Sequence, residues 1–145
     1  MLKNIPSILT PELLKVMMEM GHGDELVLAD GNYPRFGHPG RVIRCDGHGI
    51  PELLDSIMRF FPLDAYVENP TILMEVVPGD PYVPVIWDVY REIIGRYETD
   101  GARELAVPRF DFYKRAQDAY AVVTTSESAL YANIILKKGV ISCPQ

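Results

Sequence analysis

Apolar residues recur at two spacings along the chain, and these spacings predict helices alternating with strands. Leu13 and Met17 lie about one helical turn apart on the same helix face. Thr10 and Pro11 precede them as a helix start signal, and Gly21 ends the pattern. An unbroken apolar run follows at residues 26–29, which is typical of a strand covered on both faces. The chain therefore opens with a helix followed by a buried strand.

The same two patterns repeat to the end of the chain. Further helices are predicted over residues 51–61, 84–97 and 111–119. Further strands are predicted over residues 41–45, 71–77, 105–107, 120–124 and 134–136. Residues 31–40 hold two prolines and three glycines and are predicted to form a loop. This order predicts the fold class α/β, as a single three-layer α/β/α domain over residues 1–145 with a central mixed sheet.

Composition and charge narrow the possible partners. Of the 145 residues, 48% are hydrophobic and 23% are charged, as expected of a globular domain. The formal net charge of -6 argues against binding to nucleic acid or to an anionic membrane. No signal peptide or run of about 20 apolar residues is visible. With Cys45 and Cys143 far apart and in no CxxC pattern, we expect two reduced thiols and a cytoplasmic location.

The candidate for proton chemistry is His22, which lies between Gly21 and Gly23 where the first helix gives way to a strand. Histidine is the side chain whose ordinary pKa lies near neutrality, so it serves as a general acid or base. Glycines on both sides allow a sharp bend and the close approach of a ligand. The alternative is a helix C-cap glycine followed by an exposed loop histidine.

Further polar residues fall at predicted strand ends, where ligands bind in α/β folds. Asp30 closes the first strand, and its carboxylate either forms a turn or accepts hydrogen bonds from a hydroxylated ligand. Arg109 is either a surface cation or a donor to sugar oxygens. Tyr131 and Asn133 precede the last strand, and their phenol and amide could bracket a polyol.

Other candidates receive a structural interpretation. His38 and His48 lie in glycine-rich segments and are expected to be turn residues. The histidines and acids lack the spacing of helix-borne metal ligands, so no metal site is predicted. Trp87 is expected to pack in the core. The chain also lacks a dinucleotide fingerprint, a Walker loop and a serine-hydrolase elbow.

Four segments, taken in this order, resemble the family that contains L-fucose mutarotases and D-ribose pyranases. They are MGHGDE at residues 20–25, PLDAY at 62–66, RFDFYKRA at 109–116 and YANIILKKGV at 131–140. The resemblance implies a cofactor-free isomerase that interconverts the anomers of a free monosaccharide. It also implies a homo-oligomer, commonly a decameric ring, with sites completed across subunit boundaries.

Residue roles follow from this resemblance motif by motif. His22 corresponds to the proton donor and Asp30 to the carboxylate that holds substrate hydroxyls. The matching substrate contacts are Arg109, Tyr131 and Asn133, and further contacts match Asp64 and Tyr113. Ribose pyranases tend to carry histidine at the position of Arg109, so the run beginning RFDFY resembles the fucose branch.

Three alternatives to a fucose mutarotase remain open at this point. The loop at 31–40 and the stretch at 78–101 depart from the fucose pattern, which leaves a D-ribose pyranase as one alternative. A non-catalytic sugar-binding module would keep the sugar contacts but would not need a titrating His22. A metal-dependent lyase or isomerase would use the histidines and acids as ligands.

Overall fold

The protein is described over residues 1–144 by a computed structural model, and this part of the chain contains four helices and six strands. Their order is α1 (Pro11–Glu19), β1 (Glu25–Ala29), a 3₁₀ turn (Arg35–Gly37), β2 (Val42–Cys45), α2 (Ile50–Met58), β3 (Thr71–Met74), α3 (Ile86–Gly95), β4 (Glu104–Val107), α4 (Arg109–Gln117), β5 (Ala121–Thr125) and β6 (Ile134–Lys137). None of the helices in this described part is long and apolar enough to span a membrane.

The strands form one mixed sheet in the order β2-β5-β1-β6-β3-β4. Strand β1 pairs in parallel with β5 and antiparallel with β6, and β3 likewise pairs antiparallel with β6. Within residues 1–144, β6 therefore runs against the other five strands. The carboxyl ends of those five strands and the start of β6 lie at one edge of the sheet, which we call the carboxyl edge.

Helices cover both faces of this sheet, and β1 shows why its sequence is an unbroken apolar run. Leu26 and Leu28 pack in the core formed with α1, α2 and α3. Val27 and Ala29 point to the opposite face and pack against α4. Successive side chains of a strand point to opposite faces, so a strand between two helical layers has no polar face. The predicted three-layer α/β/α domain with a mixed sheet is confirmed.

Local signals set the start of α1 as predicted, whereas several other boundaries differ from the prediction. Helix α2 ends at Met58 rather than at residue 61, and α3 covers Ile86–Gly95 rather than 84–97. Thr10 accepts a hydrogen bond from the Leu13 backbone at 3.1 Å and so caps α1. The helix predicted over 111–119 starts at Arg109, because the Pro108 carbonyl already accepts the first helical hydrogen bond. The strand predicted over 71–77 stops at Met74, and the chain then turns at residues 77–80.

Candidate active site

The seven residues predicted for the site fall into two groups at opposite edges of the sheet. Five of them line one pocket of about 290 Å³ at the carboxyl edge, which we call the carboxyl-edge pocket: Asp30, Arg109, Tyr113, Tyr131 and Asn133. The other two, His22 and Asp64, contact each other at the opposite edge.

Chain order explains this separation. His22 precedes β1 and Asp30 directly follows it, so the length of the strand lies between them. Five residues of extended chain span roughly 17 Å. A general acid must come within about 2.6–3.2 Å of the atom that it protonates. One sugar therefore cannot contact His22 and Asp30 of the same chain together.

Two hydrogen bonds shape the carboxyl-edge pocket around Asp30. The Asp30 backbone N–H donates to Asn133 Oδ1 at 2.7 Å, which fixes the amide of Asn133. Asp30 Oδ1 accepts from the Asn32 backbone at 2.9 Å. Burial raises the pKa of the Asp30 carboxyl, although the hydrogen bonds from Asn32 and Asn133 oppose this change. A carboxylate in this position accepts hydrogen bonds from a polyhydroxylated ligand.

Tyr131 lies at the mouth of the same pocket in an uncommon backbone conformation. Its φ of 57° lies in the left-handed region, which few non-glycine residues adopt. The phenol donates to Asp80 Oδ2 at 2.6 Å and accepts from the Val77 backbone at 3.3 Å. The hydrogen bond to Asp80 raises the pKa of Tyr131. The phenol therefore keeps its proton, and toward a ligand its oxygen serves as an acceptor.

Aromatic rings form the wall on which Arg109 lies. Its guanidinium carbon is 5.5 Å from the ring centre of Phe110 and 5.7 Å from that of Tyr113. Phe110 is exposed, whereas Tyr113 is buried and packs edge-on against Phe36. Arg109 forms no ion pair within residues 1–144, so its donors remain available to oxygen atoms of a ligand.

At the other edge, Asp64 orients His22. Its Oδ1 is 3.0 Å from His22 Nε2 and also accepts from the Tyr66 backbone at 3.0 Å. Burial of this carboxyl, which is 2% exposed, would raise its pKa, but the hydrogen bonds from Tyr66 and His22 outweigh that effect and lower it. An ionised carboxylate only accepts, so Nε2 carries a hydrogen and Nδ1 is the nitrogen left for a ligand.

The loop that carries His22 is tied to two neighbouring elements. Lys138 Nζ donates to the Met17 carbonyl at 2.7 Å at the end of α1. The Gly23 backbone donates to the Lys138 carbonyl at 2.8 Å, and Gly23 adopts a φ of 86°. Asp24 accepts from the Gly21 backbone at 2.7 Å. The glycines thus permit a bend, as predicted, and these contacts hold the loop in place.

The His22 side chain is 45% exposed and opens into an apolar pocket of about 490 Å³. Met18, Ile141 and Phe60 line this pocket, with exposed fractions of 83%, 76% and 40%. Large exposed apolar patches of this kind mark interaction surfaces.

Two residues contribute to the site without having been predicted from the sequence, namely Asp80 and Trp87. Asp80 lines the carboxyl-edge pocket, and its only sequence signal is the Pro-Gly-Asp-Pro turn. The Trp87 side chain packs against the core as predicted, but its indole N–H also donates to the Tyr131 carbonyl at 2.8 Å.

The other two histidines were predicted to be turn residues. His38 follows the 3₁₀ turn, and His48 lies in a turn where it contacts Glu52 at 3.2 Å. Within residues 1–144, no three His, Cys, Asp or Glu side chains are grouped as metal ligands.

The low pKa of Asp64 predicts a pH-dependent contribution to stability. A lowered pKa stabilises the folded state above the ordinary aspartate range, and this contribution is lost as the pH falls through the folded-state value. We expect Asp64→Asn to lower the free energy of unfolding by about 1.5 kcal/mol at pH 7 and by less at pH 3. Denaturant unfolding at both pH values measures this difference.

Asp100→Asn is the matched control, because Asp100 is exposed in a turn. We expect its free energy of unfolding to match that of the unmodified protein at both pH values. An equal loss in Asp64→Asn at pH 7 and pH 3 would show that the carboxylate charge does not contribute.

Comparison with known proteins identifies the family. The profile of the RbsD / FucU transport protein family matches residues 3–141. The chain belongs to this family. The predicted family resemblance is thus confirmed over nearly the whole chain.

The fucose mutarotase from Danio rerio is 54% identical over 147 residues, which cover 97% of this chain and 94% of that protein. The L-fucose mutarotase from Actinobacillus pleuropneumoniae is 49% identical over 140 residues, or 97% of each chain. The crystal structure of the fucose mutarotase from Streptococcus pneumoniae in complex with L-fucose superposes with a TM-score of 0.92. It is 54% identical to this chain and covers 97% of this chain and 100% of its own. The similarity therefore spans nearly the whole length of each of these chains and lies on the fucose side of the family.

Proposed function

We propose that this protein is an L-fucose mutarotase, an isomerase that interconverts the α and β anomers of free L-fucose. The observation that carries the proposal is the full-length similarity to a fucose mutarotase solved with L-fucose, at 54% identity and a TM-score of 0.92. The polar groups of the carboxyl-edge pocket support it, because they suit a polyhydroxylated ligand.

The chemistry is acid–base catalysis of ring opening and closure. His22 gives a proton to the ring oxygen as the bond from that oxygen to the anomeric carbon breaks. Solvent water accepts the proton of the anomeric hydroxyl, which becomes the aldehyde carbonyl. The carbonyl turns, and the ring closes on its other face as the sugar hydroxyl returns its proton to His22 and the carbonyl oxygen takes a proton back from water. Such a proton transfer contributes roughly 10²–10⁴-fold to the rate. Asp64, which contacts His22 Nε2, orients the ring so that Nδ1 meets the sugar.

The sugar-binding groups of the proposal are those of the carboxyl-edge pocket. Asp30 accepts hydrogen bonds from sugar hydroxyls, and Arg109 donates to sugar oxygens. Asn133 Oδ1 is occupied by the Asp30 backbone, so its Nδ2 remains as a donor. Tyr131 accepts through its phenol oxygen, and Tyr113 supplies a ring beside Arg109. These groups hold the sugar in an orientation from which proton transfer can occur.

We further propose that the protein is a homo-oligomer in which two copies build each site. His22 of one copy would meet the carboxyl-edge pocket of its neighbour, because within one copy β1 separates them. The exposed apolar pocket around His22 supports a neighbouring copy at that position. The family resemblance suggests a decameric ring. A cytoplasmic location completes the proposal, supported by free thiols at Cys45 and Cys143.

Exchange spectroscopy by NMR tests the activity. The rate of exchange between the α and β anomeric protons of L-fucose is measured with and without the protein, with D-ribose in parallel. We expect the protein to accelerate exchange of L-fucose more than any conversion of D-ribose. Acceleration with D-ribose alone would instead make the protein a pyranase, and binding of L-fucose without acceleration would make it a sugar-binding module.

A further inference from the structure

Helix α3 holds the backbone of the segment that carries two of the proposed sugar contacts. Trp87 Nε1 donates to the Tyr131 carbonyl at 2.8 Å, and the Tyr90 hydroxyl donates to the Ala132 carbonyl at 2.7 Å. Both donors lie on one face of α3, three residues apart, so the helix presents them together. Two successive carbonyls of the segment that leads into β6 are thereby fixed in direction.

The hydrogen bond from Tyr90 to Ala132 lies in the core, and the hydrogen bond from Trp87 to Tyr131 lies at the margin of the core. Tyr90 is 2% exposed, and its bond to the Ala132 carbonyl is buried. Burial raises the pKa of Tyr90, so its hydroxyl remains a donor at physiological pH. A buried carbonyl that loses its donor has no water to replace it. The segment therefore depends on Tyr90 for its position.

Fixing these carbonyls also fixes the side chains beside them. Tyr131 has a φ of 57°, a conformation that persists only where surrounding contacts impose it. This conformation sends the Tyr131 phenol to Asp80 and the Val77 backbone. One residue beyond Ala132, Asn133 Oδ1 meets the Asp30 backbone. A displaced segment would shift the Tyr131 oxygen and the Asn133 amide in the carboxyl-edge pocket together.

We propose that Tyr90 and Trp87 are positioning residues for sugar binding, acting through the backbone of Tyr131 and Ala132. This inference rests on the proposed function, since it takes Tyr131 and Asn133 as sugar contacts. It assigns part of the sugar affinity to the stretch at 78–101, which lies outside the motifs that identify the family.

The test compares Tyr90→Phe with Tyr97→Phe in the full-length oligomer. Tyr97 lies just beyond α3, and its hydroxyl donates to Asp55 at 2.7 Å, away from the carboxyl-edge pocket. Each change therefore removes one hydroxyl and one hydrogen bond of equal length. The dissociation constant for L-fucose is measured by calorimetry, and KM and kcat are measured by anomer exchange.

For Tyr90→Phe we expect a rise of roughly tenfold in both the dissociation constant and KM, with kcat changed less than about twofold. The reason is that His22 still delivers the proton once the sugar is bound. The pH profile of kcat should match that of the unmodified protein. For Tyr97→Phe, all of these quantities should remain unchanged.

A purely structural role for Tyr90 would lower the melting temperature but leave KM and the dissociation constant of the folded variant unchanged, and this result would overturn the proposal. A fall in kcat at constant KM would overturn it as well. If Tyr90→Phe does not fold, Trp87→Phe decides the question with the same expected rise in KM. If the unmodified protein binds L-fucose without accelerating exchange, the proposed function fails, and the dissociation constants alone still test the positioning role.

Discussion

Replacing His22 with alanine is expected to reduce kcat for L-fucose anomer exchange by roughly 10²–10⁴-fold, because the ring opening loses its positioned acid. The fold should persist. His22 is 45% exposed and lies between glycines, so it contributes little packing. Asp64 keeps its hydrogen bond from the Tyr66 backbone, and we expect the free energy of unfolding to fall by about 1 kcal/mol. Exchange NMR and denaturant unfolding measure the two quantities.

His48→Ala is the matched control for this prediction. Its side chain is 43% exposed and contacts the carboxylate of Glu52 at 3.2 Å, so the two histidines share exposure and partner type. We expect His48→Ala to retain full activity. Equal activity in the His22 and His48 variants would contradict the assignment of the proton donor. A His22 variant that cannot fold would show that this side chain is structural.

Replacing Asp30 with asparagine is expected to raise KM for L-fucose by roughly 10- to 100-fold, with the fold intact. Asparagine has the same shape and can still accept the hydrogen bond from Asn32. It loses the negative charge, and hydrogen bonds to a charged group are worth about 1.5–3 kcal/mol. A tenfold change in KM corresponds to about 1.4 kcal/mol, so the loss of this interaction corresponds to the expected rise in KM of roughly 10- to 100-fold. The concentration dependence of anomer exchange gives KM.

The pH dependence of KM separates this role of Asp30 from a structural one. Burial raises the pKa of Asp30, so its carboxylate takes up a proton at a higher pH than an exposed aspartate does. As the pH falls through this value, KM of the unmodified protein should rise, whereas KM of Asp30→Asn should remain constant. Asp46→Asn is the control, because Asp46 follows β2 outside the carboxyl-edge pocket. A KM near the unmodified value in Asp30→Asn would contradict the assignment.

Local signals explain why much of the fold was predictable. The Thr10 cap and the unbroken apolar run of β1 act over a few residues, and the structure forms both where the sequence predicts them. Boundaries were less predictable where a contact distant in sequence decides them. The strand predicted to reach residue 77 ends at Met74, and the chain then turns so that the Val77 backbone meets the phenol of Tyr131.

The candidate residues were also accessible from the sequence, but their grouping was not. Motif similarity indicated His22 and Asp64 as site residues without placing them together, and 42 positions separate them in the chain. Their contact depends on the end of β6, where the Asp64 backbone donates to the Lys137 carbonyl. The hydrogen bond from Trp87 to Tyr131 likewise spans 44 positions. The spacing of apolar residues along the chain carries no information on contacts between residues so far apart in sequence.

Chain order decides at which edge of the sheet the residues next to a strand lie. A residue before a strand and a residue after it lie at opposite edges of the sheet. His22 and Asp30 flank β1 in this way, and the structure shows them at opposite edges of the sheet. Their proposed action on one sugar therefore requires a second copy of the chain.

Co-expression of His22→Ala and Asp30→Asn tests this shared site most directly. Each variant alone should be nearly inactive at L-fucose concentrations below the KM of the unmodified protein. In hybrid oligomers, a site that takes His22 from one copy and Asp30 from its neighbour is complete, and random mixing gives roughly a quarter of all sites this composition. We therefore expect the exchange rate of the purified hybrids to recover to about a quarter of the unmodified rate. A rate equal to the mean of the two inactive variants would contradict a site built between copies.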